Sequence, residues 1–273
     1  MKLSAIAFAS IIIAGWAGVA GAGVVIQGHE DATRSTLPGV KSSSTPYTKM
    51  IEGQQAKIVI GTMQLFIDLS ADKVLVLTKG RGAYYQLPFP PPSTIGELIM
   101  RRILPPMVKY KKTGKHLTLA GYGCDQYTGM GEIDSAPYSV EACYSTDAPG
   151  AQDYAAFVKS ALAKSGKASA AASDEIPQGI PLELDTTITT KEPVSPAVSD
   201  QKQAAPEKPA EFREFRVKIV VTSVASRSIE AGEFRPPAGL KREPIPRGLG
   251  IRAKEISQGA PNSSVRRAVL VKL

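Results

Sequence analysis

The middle of the chain alternates apolar and polar positions in the manner of short β-strands. Residues 56–60, 63–69, 74–78 and 83–87 are rich in aliphatic and β-branched side chains, and turn-forming residues separate them. In residues 63–69 the apolar side chains occupy every second position, which is the period of a strand with one buried face. These segments therefore predict an antiparallel meander.

Two later segments have the period of amphipathic helices instead. Thr94 is followed three residues later by Glu97, a spacing typical of a capping box, and Pro105 ends the pattern. The apolar stripe of this first helix contains Ile95, Leu98, Ile99 and Ile103. A second helix is predicted to begin near Gln152, and its apolar face contains Tyr154, Phe157, Val158, Ala161 and Leu162.

Residues 191–211 interrupt the strand pattern. They contain four prolines and have no apolar period, so they bury too little surface to offset the entropy of ordering them. We therefore expect a disordered insertion. Strand-like patterns on both sides, at residues 180–190 and 215–221, indicate that the insertion joins two strands of one sheet.

The N-terminus has the three parts of a secretory signal peptide. A positive Lys2 precedes an apolar stretch over residues 3–19, and Ala20-Gly21-Ala22 is a small-x-small cleavage signal. The alternative is a transmembrane anchor that is retained, because the apolar stretch is nearly long enough to span a bilayer. Cleavage predicts a periplasmic or secreted protein with no stable transmembrane anchor.

These patterns divide the chain into four parts. We predict a signal peptide over residues 1–22, a flexible arm over 23–46, a single α+β domain over 47–240 with the insertion 191–211 inside it, and a basic flexible tail over 241–273.

The charge of the chain is concentrated at its C-terminus. The formal net charge is +8, and eight basic against two acidic residues follow position 240. Because no aromatic residue follows Phe234 to stack on bases, nucleic acid is not an expected partner. An anionic envelope surface is the expected partner, and the alternative is a solvated tail without a specific ligand.

The two cysteines are the clearest chemical pair. Cys124 and Cys143 lie at equal distances from a midpoint at Ile133 and Asp134, so a hairpin there places them opposite each other. In an exported chain this arrangement predicts a disulfide, which stabilises the fold by about 3 kcal/mol in the chain-entropy account. The alternative is a pair of buried free thiols.

No other cluster indicates catalysis. The consecutive residues His29, Glu30 and Asp31 cannot all face one metal, and His116 is expected to be exposed or at a sheet edge. The glycine pairs around Tyr122 and Met130 lack the context of a phosphate-binding loop. We therefore expect no enzyme activity, no metal and no cofactor.

Several short strings in fixed order resemble a family of exported bacterial proteins of unknown function, a domain-of-unknown-function family related to the LolA-like lipoprotein carriers. The resemblance covers residues 47–240, and the insertion and the basic extension depart from it. The matching strings lie at residues 67–69, 74–77, 83–88, 112–115, 120–127, 179–182 and 234–240. The resemblance implies a curved antiparallel half-barrel wrapped around the two amphipathic helices, with an apolar concave face.

A concave apolar face predicts a ligand-binding lining built from both strands and helices. Our leading hypothesis is therefore periplasmic, non-enzymatic binding of a lipid or other apolar ligand. The alternative is a structural or protein-interaction module of the cell envelope, in which the same residues form an ordinary filled core. The candidate lining residues are Leu65, Ile67, Val76, Leu98, Ile99, Phe157, Leu162, Ile219 and Val221.

Overall fold

The computed structural model of the protein describes residues 22–34, 42–133, 136–166, 176–192 and 211–244. Residues 1–21 of the predicted signal peptide, 193–210 of the predicted insertion and 245–273 of the predicted basic tail lie outside the described residues. The ends of the predicted insertion 191–211 belong to strands, since Lys191 and Glu192 lie at the end of one strand and Glu211 at the start of the next.

Twelve strands make up most of the described chain. The first six are β1 (Gly23–Arg34), β2 (Ser43–Glu52), β3 (Gln55–Ile60), β4 (Met63–Asp68), β5 (Lys73–Thr78) and β6 (Ala83–Pro88). The last six are β7 (Lys111–Leu119), β8 (Tyr122–Ile133), β9 (Ala136–Ser145), β10 (Ile180–Glu192), β11 (Glu211–Arg227) and β12 (Lys241–Glu243). The helices are α1 (Ser93–Ile103), α2 (Ala151–Lys164) and a short 3-10 helix (Ala231–Phe234).

All twelve strands belong to one sheet, in the order β12-β6-β5-β4-β3-β2-β1-β11-β10-β9-β8-β7. Neighbouring strands are antiparallel, except that β12 pairs with β6 in parallel. The meander predicted from the hydrophobic alternation is present as β3 to β6. The hairpin of β10 and β11 pairs Glu192 with Glu211, so the prediction that the insertion joins two strands of one sheet is confirmed.

The predicted fold class is wrong. We expected an α+β domain in which an antiparallel half-barrel packs on two helices, whereas the fold is predominantly β, a large mixed sheet of twelve strands with two α-helices. Residues 23–34 and 43–46 also differ from the predicted flexible arm, because they belong to β1 and β2, which pair with each other, and β1 pairs with β11 as well. Polar residues such as His29 and Asp31 lie on the less buried face of β1 and hid its strand period.

One face of the sheet packs against the two helices. Helix α2 lies against β1, β2 and β10, and Phe157 and Leu162 are among its fully buried side chains. Its N-cap, Gly150, has a φ of 78°, and a Cβ there would lie 2.6 Å from the Cβ of Val24. Glycine at this position therefore allows α2 to begin in direct contact with β1.

Helix α1 begins earlier than its predicted capping box. Its N-cap is Pro92, and no side-chain hydrogen bond caps it. Its C-terminal half reaches the core through Ile99, Met100 and Ile103. These buried side chains place the last turn of α1 over the sheet.

The predicted disulfide is confirmed. Cys124 on β8 and Cys143 on β9 are bonded, with their Cα atoms 5.5 Å apart, and both are buried in the main core. Cys143 pairs in register with Gln126, so the two cysteines are diagonal neighbours rather than directly opposite. The bond links two adjacent strands of the same sheet.

Candidate functional site

A lysine lies within the apolar face of the sheet. Lys49 on β2 shares this face with Tyr47 and Ile51, and its cross-strand partners are Ile26 on β1 and Ile58 on β3. Only 5% of its surface is exposed. The strand period that buries Tyr47 and Ile51 therefore buries a cationic side chain between them.

Lys49 differs from the other buried polar residues in its partners. Glu30 and Asp185 each pair with an arginine, and the Ser145 hydroxyl accepts backbone hydrogen bonds. Within the described part of the chain, the Lys49 ammonium has no hydrogen bond and no carboxylate partner. Buried charges are normally paired, so this lysine is an exception that calls for an explanation.

Two aromatic rings contact the lysine instead. Its Nζ lies 5.4 Å from the ring centroid of Tyr154 on α2 and 5.9 Å from that of Tyr47. Such cation–π contacts stabilise the charged form only in part. Desolvation by burial prevails and lowers the pKa of Lys49 from 10.5 to about 8. The ammonium is therefore mostly charged at pH 7, although its burial disfavours the charge.

A partly buried ion pair joins α1 to the same face of the sheet. Glu30 on β1 is 8% exposed and accepts a hydrogen bond from the Arg102 guanidinium near the end of α1. Burial lowers the pKa of Arg102. The carboxylate of Glu30 is thus occupied by Arg102, and it does not compensate Lys49.

A small cavity connects these groups, which we name the Lys49 crevice. Its volume is about 40 Å³, close to the space that one water molecule occupies. Strands β1, β2, β3, β10 and β11 contribute to its walls, together with both helices and the segment after α1. It is lined by Ile26, Glu30, Tyr47, Lys49, Ile60, Arg101, Arg102, Leu104, Pro105, Tyr154, Pro181, Leu184, Ile219 and Val221.

The predicted lining residues lie mainly in the packed core. Two of them, Ile219 and Val221, line the Lys49 crevice. Val76 and Ile219 are partly buried against the core, and the side chain of Leu98 lies outside the described residues. The residues buried together in the core cluster are Leu65, Ile67, Ile99, Phe157, Leu162 and Val221.

A larger groove lies on the opposite face of the sheet. Its volume is about 310 Å³, and Phe66 and Leu75 line it next to Phe234 of the 3-10 helix. Asp68 and Lys73, whose charged groups are 3.5 Å apart, lie at the same groove. No described side chain among the predicted lining residues takes part, and Leu65, Ile67 and Val76 face the other side of β4 and β5.

The histidines are distributed as strand geometry requires. Glu30 faces the helices, whereas His29 and Asp31 point to the other face, with Nε2 and Oδ2 3.4 Å apart. His116 lies on the edge strand β7, and its Nδ1 is 3.3 Å from Oδ1 of Asp125. Among the described residues, no three His, Cys, Asp or Glu side chains converge as a metal-binding group.

Sequence reasoning missed the polar groups of the crevice. The signal was present in the alternation of Tyr47, Lys49 and Ile51, where one lysine occupies the apolar face of a strand. Lys49 precedes the first predicted strand, which begins at residue 56, and β1 lies in the predicted arm, so the sequence does not indicate that the two segments pair. The Glu30–Arg102 pair joins elements far apart in sequence, and no local pattern predicts it.

Comparisons with known proteins give distant likenesses. No protein-family model matches the sequence, and no curated protein matches it. Among solved structures, the chain is similar to PNGF-II in a C2 crystal form, with 10% identity and a TM-score of 0.35 over 78% of this chain. The match covers 29% of the PNGF-II chain, so this protein spans less than a third of that relative.

The chain is also similar to a DUF1329 family protein from Desulfovibrio piger ATCC 29098. The identity is 8% and the TM-score 0.33, over 79% of this chain and 90% of that one. This relative belongs to an uncharacterised domain family. The relation to LolA-like carriers is not addressed by these likenesses and stays a prediction.

The described helices are too short or too polar for a bilayer crossing. In residues 22–34, 42–133, 136–166, 176–192 and 211–244, no helix is both long and apolar enough to span a membrane.

Proposed function

We propose that this protein is a non-enzymatic binding protein of the cell envelope that holds a lipid or other apolar ligand at the Lys49 crevice. The observation that carries this proposal is the combination of apolar walls with one lysine, among the lining residues, that has no carboxylate partner in the described part of the chain. Ligand sites are typically apolar, with a few polar groups that orient the ligand. Ile60, Leu104, Ile219 and Val221 provide such walls around Lys49.

The volume of the crevice sets a condition on binding. About 40 Å³ does not accommodate an alkyl chain, so the ligand must separate α1 and the segment after it from the sheet. In the closed form, the Glu30–Arg102 pair is a polar link between α1 and β1. Binding therefore exchanges contacts of Leu104 with the sheet for contacts with the ligand.

Native mass spectrometry of the purified full chain tests the proposal, together with displacement of an apolar dye by phospholipids and fatty acids. We expect Ile219→Trp to fill the crevice and to lower lipid retention at least tenfold. The control is Leu75→Trp, a similar change on the opposite face that should leave retention unchanged. Absence of bound lipid and of dye displacement would contradict the proposal.

A second function is favoured by the filled core. Six of the nine predicted lining residues are buried together, as expected of a structural or protein-interaction module. In that case the outer surfaces carry the function, including the exposed edge strand β7 with Lys111, Lys112 and Lys115. This alternative would be favoured if no lipid bound and no dye were displaced, and if cross-linking recovered a specific envelope partner.

The envelope location is part of the proposal and rests on the predicted signal peptide. Cleavage after Ala22 would leave Gly23, the first residue of β1, at the N-terminus of the mature chain. We expect the intact mass of the protein isolated from the envelope to match a chain that begins at Gly23. A mass that matches a chain beginning at Met1 would contradict export by cleavage.

A further inference from the structure

We propose that Lys49 anchors an anionic head group, so that the ligand of the Lys49 crevice is an anionic amphiphile with a carboxylate or phosphate. This inference rests on the proposed function and adds the chemical class of the ligand to it.

The first argument is the missing counter-charge. Lys49 as a residue is only 5% exposed and borders the crevice, yet no carboxylate or other acceptor meets its ammonium within the described part of the chain. The rings of Tyr47 and Tyr154 lie more than 5 Å from Nζ and provide no negative charge. A bound anion would complete the pair that this lysine lacks.

The second argument is the charge balance of the crevice walls. Lys49, Arg101 and Arg102 are cations, and Glu30 is the one carboxylate among the lining residues. Because Glu30 already pairs with Arg102, Lys49 and Arg101 leave an excess of two positive charges. A crevice with this excess favours a ligand with one or two negative charges over a neutral one.

The third argument is the position of the cation among apolar side chains. Ile26 and Ile58 flank Lys49 across the strands, and Ile60 and Ile219 continue the apolar wall. A free inorganic anion gains nothing from these walls, whereas an alkyl chain is removed from water by them. The site therefore suits a molecule with both parts.

The test measures binding of four probes to the full chain by calorimetry. The probes are dodecanoate, dodecyl phosphate and 1-dodecanol, all below their aggregation limits, and inorganic phosphate. We expect the two anionic amphiphiles to bind at least tenfold more tightly than dodecanol, and phosphate alone to bind too weakly to measure. The Lys49→Met variant should bind dodecanoate no better than dodecanol.

The matched control is Lys57→Met. Lys57 lies on the opposite face of β3 with its Nζ 5.6 Å from the Phe66 ring centroid, and it pairs with Glu233 at 2.6 Å. Lys57 therefore also lies over an aromatic ring, but, unlike Lys49, it has a carboxylate partner. Its replacement should leave the preference for anionic probes intact.

The pH dependence gives a further readout. The titratable and charged groups that face Lys49 are Tyr47, Tyr154, Glu30, Arg101 and Arg102. A bound anion requires the protonated form of Lys49. In the protein without ligand, Lys49 loses its proton above pH 8, so the affinity for dodecanoate should fall about tenfold between pH 7 and pH 9. Burial raises the pKa of both tyrosines, which remain neutral in this range.

The outcomes separate this inference from the proposed function. Equal binding of dodecanoate and dodecanol, unaffected by Lys49→Met, would overturn the head-group anchor and leave apolar binding intact. Binding of inorganic phosphate as tight as that of dodecyl phosphate would overturn the inference that the ligand is an amphiphile. Failure of every amphiphile to bind would overturn both.

Discussion

Replacing Lys49 with methionine should stabilise the protein at neutral pH. The change removes the buried ammonium and keeps a side chain of similar length in the space between Ile26 and Ile58. Replacement of buried charges by apolar groups of similar volume is often neutral or stabilising. The size of the effect follows from the pKa of the lysine.

Burial lowers the pKa of Lys49 from 10.5 to about 8, a difference that corresponds to about 3 kcal/mol between the two protonation states. Methionine avoids this cost but loses the cation–π contacts, which contribute about 1–2 kcal/mol. We therefore expect the free energy of unfolding at pH 7 to rise by about 1–2 kcal/mol.

The sign of the pH dependence follows from linkage. Because the folded pKa is below the unfolded value, the unfolded chain binds the proton more tightly between pH 8 and pH 10.5. The contribution of Lys49 to wild-type stability therefore increases as pH rises through this window. The advantage of Lys49→Met over the wild type should shrink by about 3 kcal/mol across the same window, which cancels or reverses it at pH 10.5.

Urea denaturation of both proteins at pH 7, 9 and 10.5 measures these differences. Lys57→Met is the control, and its lost pair with the more exposed Glu233 should cost under about 1 kcal/mol at pH 7. If Lys49→Met lowered the free energy of unfolding by more than 1 kcal/mol at pH 7, the buried lysine would stabilise the fold, contrary to the prediction. An advantage that grows with pH would refute the argument from its pKa.

Three further predictions concern the links that hold the sheet together. Arg102→Met should destabilise the protein by about 3 kcal/mol, because it leaves the Glu30 carboxylate buried and unpaired. In thermal unfolding, adding Glu30→Gln should recover part of this loss, and no recovery would argue against the pair. Replacing Cys124 and Cys143 by alanine should lower the unfolding free energy by about 3 kcal/mol, and an unchanged urea midpoint would contradict this. Exchange of residues 193–210 for a short Gly-Ser linker should leave the melting temperature nearly unchanged, since loop entropy changes by about 0.6 kcal/mol per doubling of length; a large decrease would show that the segment packs on the domain.

Local periodicity predicted the elements whose partners are close in sequence. Strands β3 to β6 form a meander with short turns, so their alternation could be followed from one strand to the next. Helices α1 and α2 were visible from their apolar stripes. The β8–β9 hairpin was placed from the cysteine spacing, although its register is offset by two residues from the predicted one.

The sheet as a whole was not predictable in this way. β1 pairs with β11 across most of the chain, and its polar residues on one face conceal its period. The Lys49 crevice depends on the same long-range pairing, because Ile219 comes from β11 and Arg102 from α1. Six of the nine candidate lining residues are buried in the core, whereas Lys49, the cation beside them, belongs to no site predicted from the sequence.

The pairing of β1 with β11 also means that the sheet cannot be completed until most of the chain is available. Its neighbour β2 follows at once, but the other neighbour, β11, is translated last but one among the twelve strands, and Gly23 pairs with Arg227. Until then one edge of β1 presents unpaired backbone groups beside Val24 and Ile26, a condition that invites pairing with other chains. Pairings between such distant segments also raise the contact order and slow folding. The edge of β1 therefore stays available for other pairings until β11 can join it.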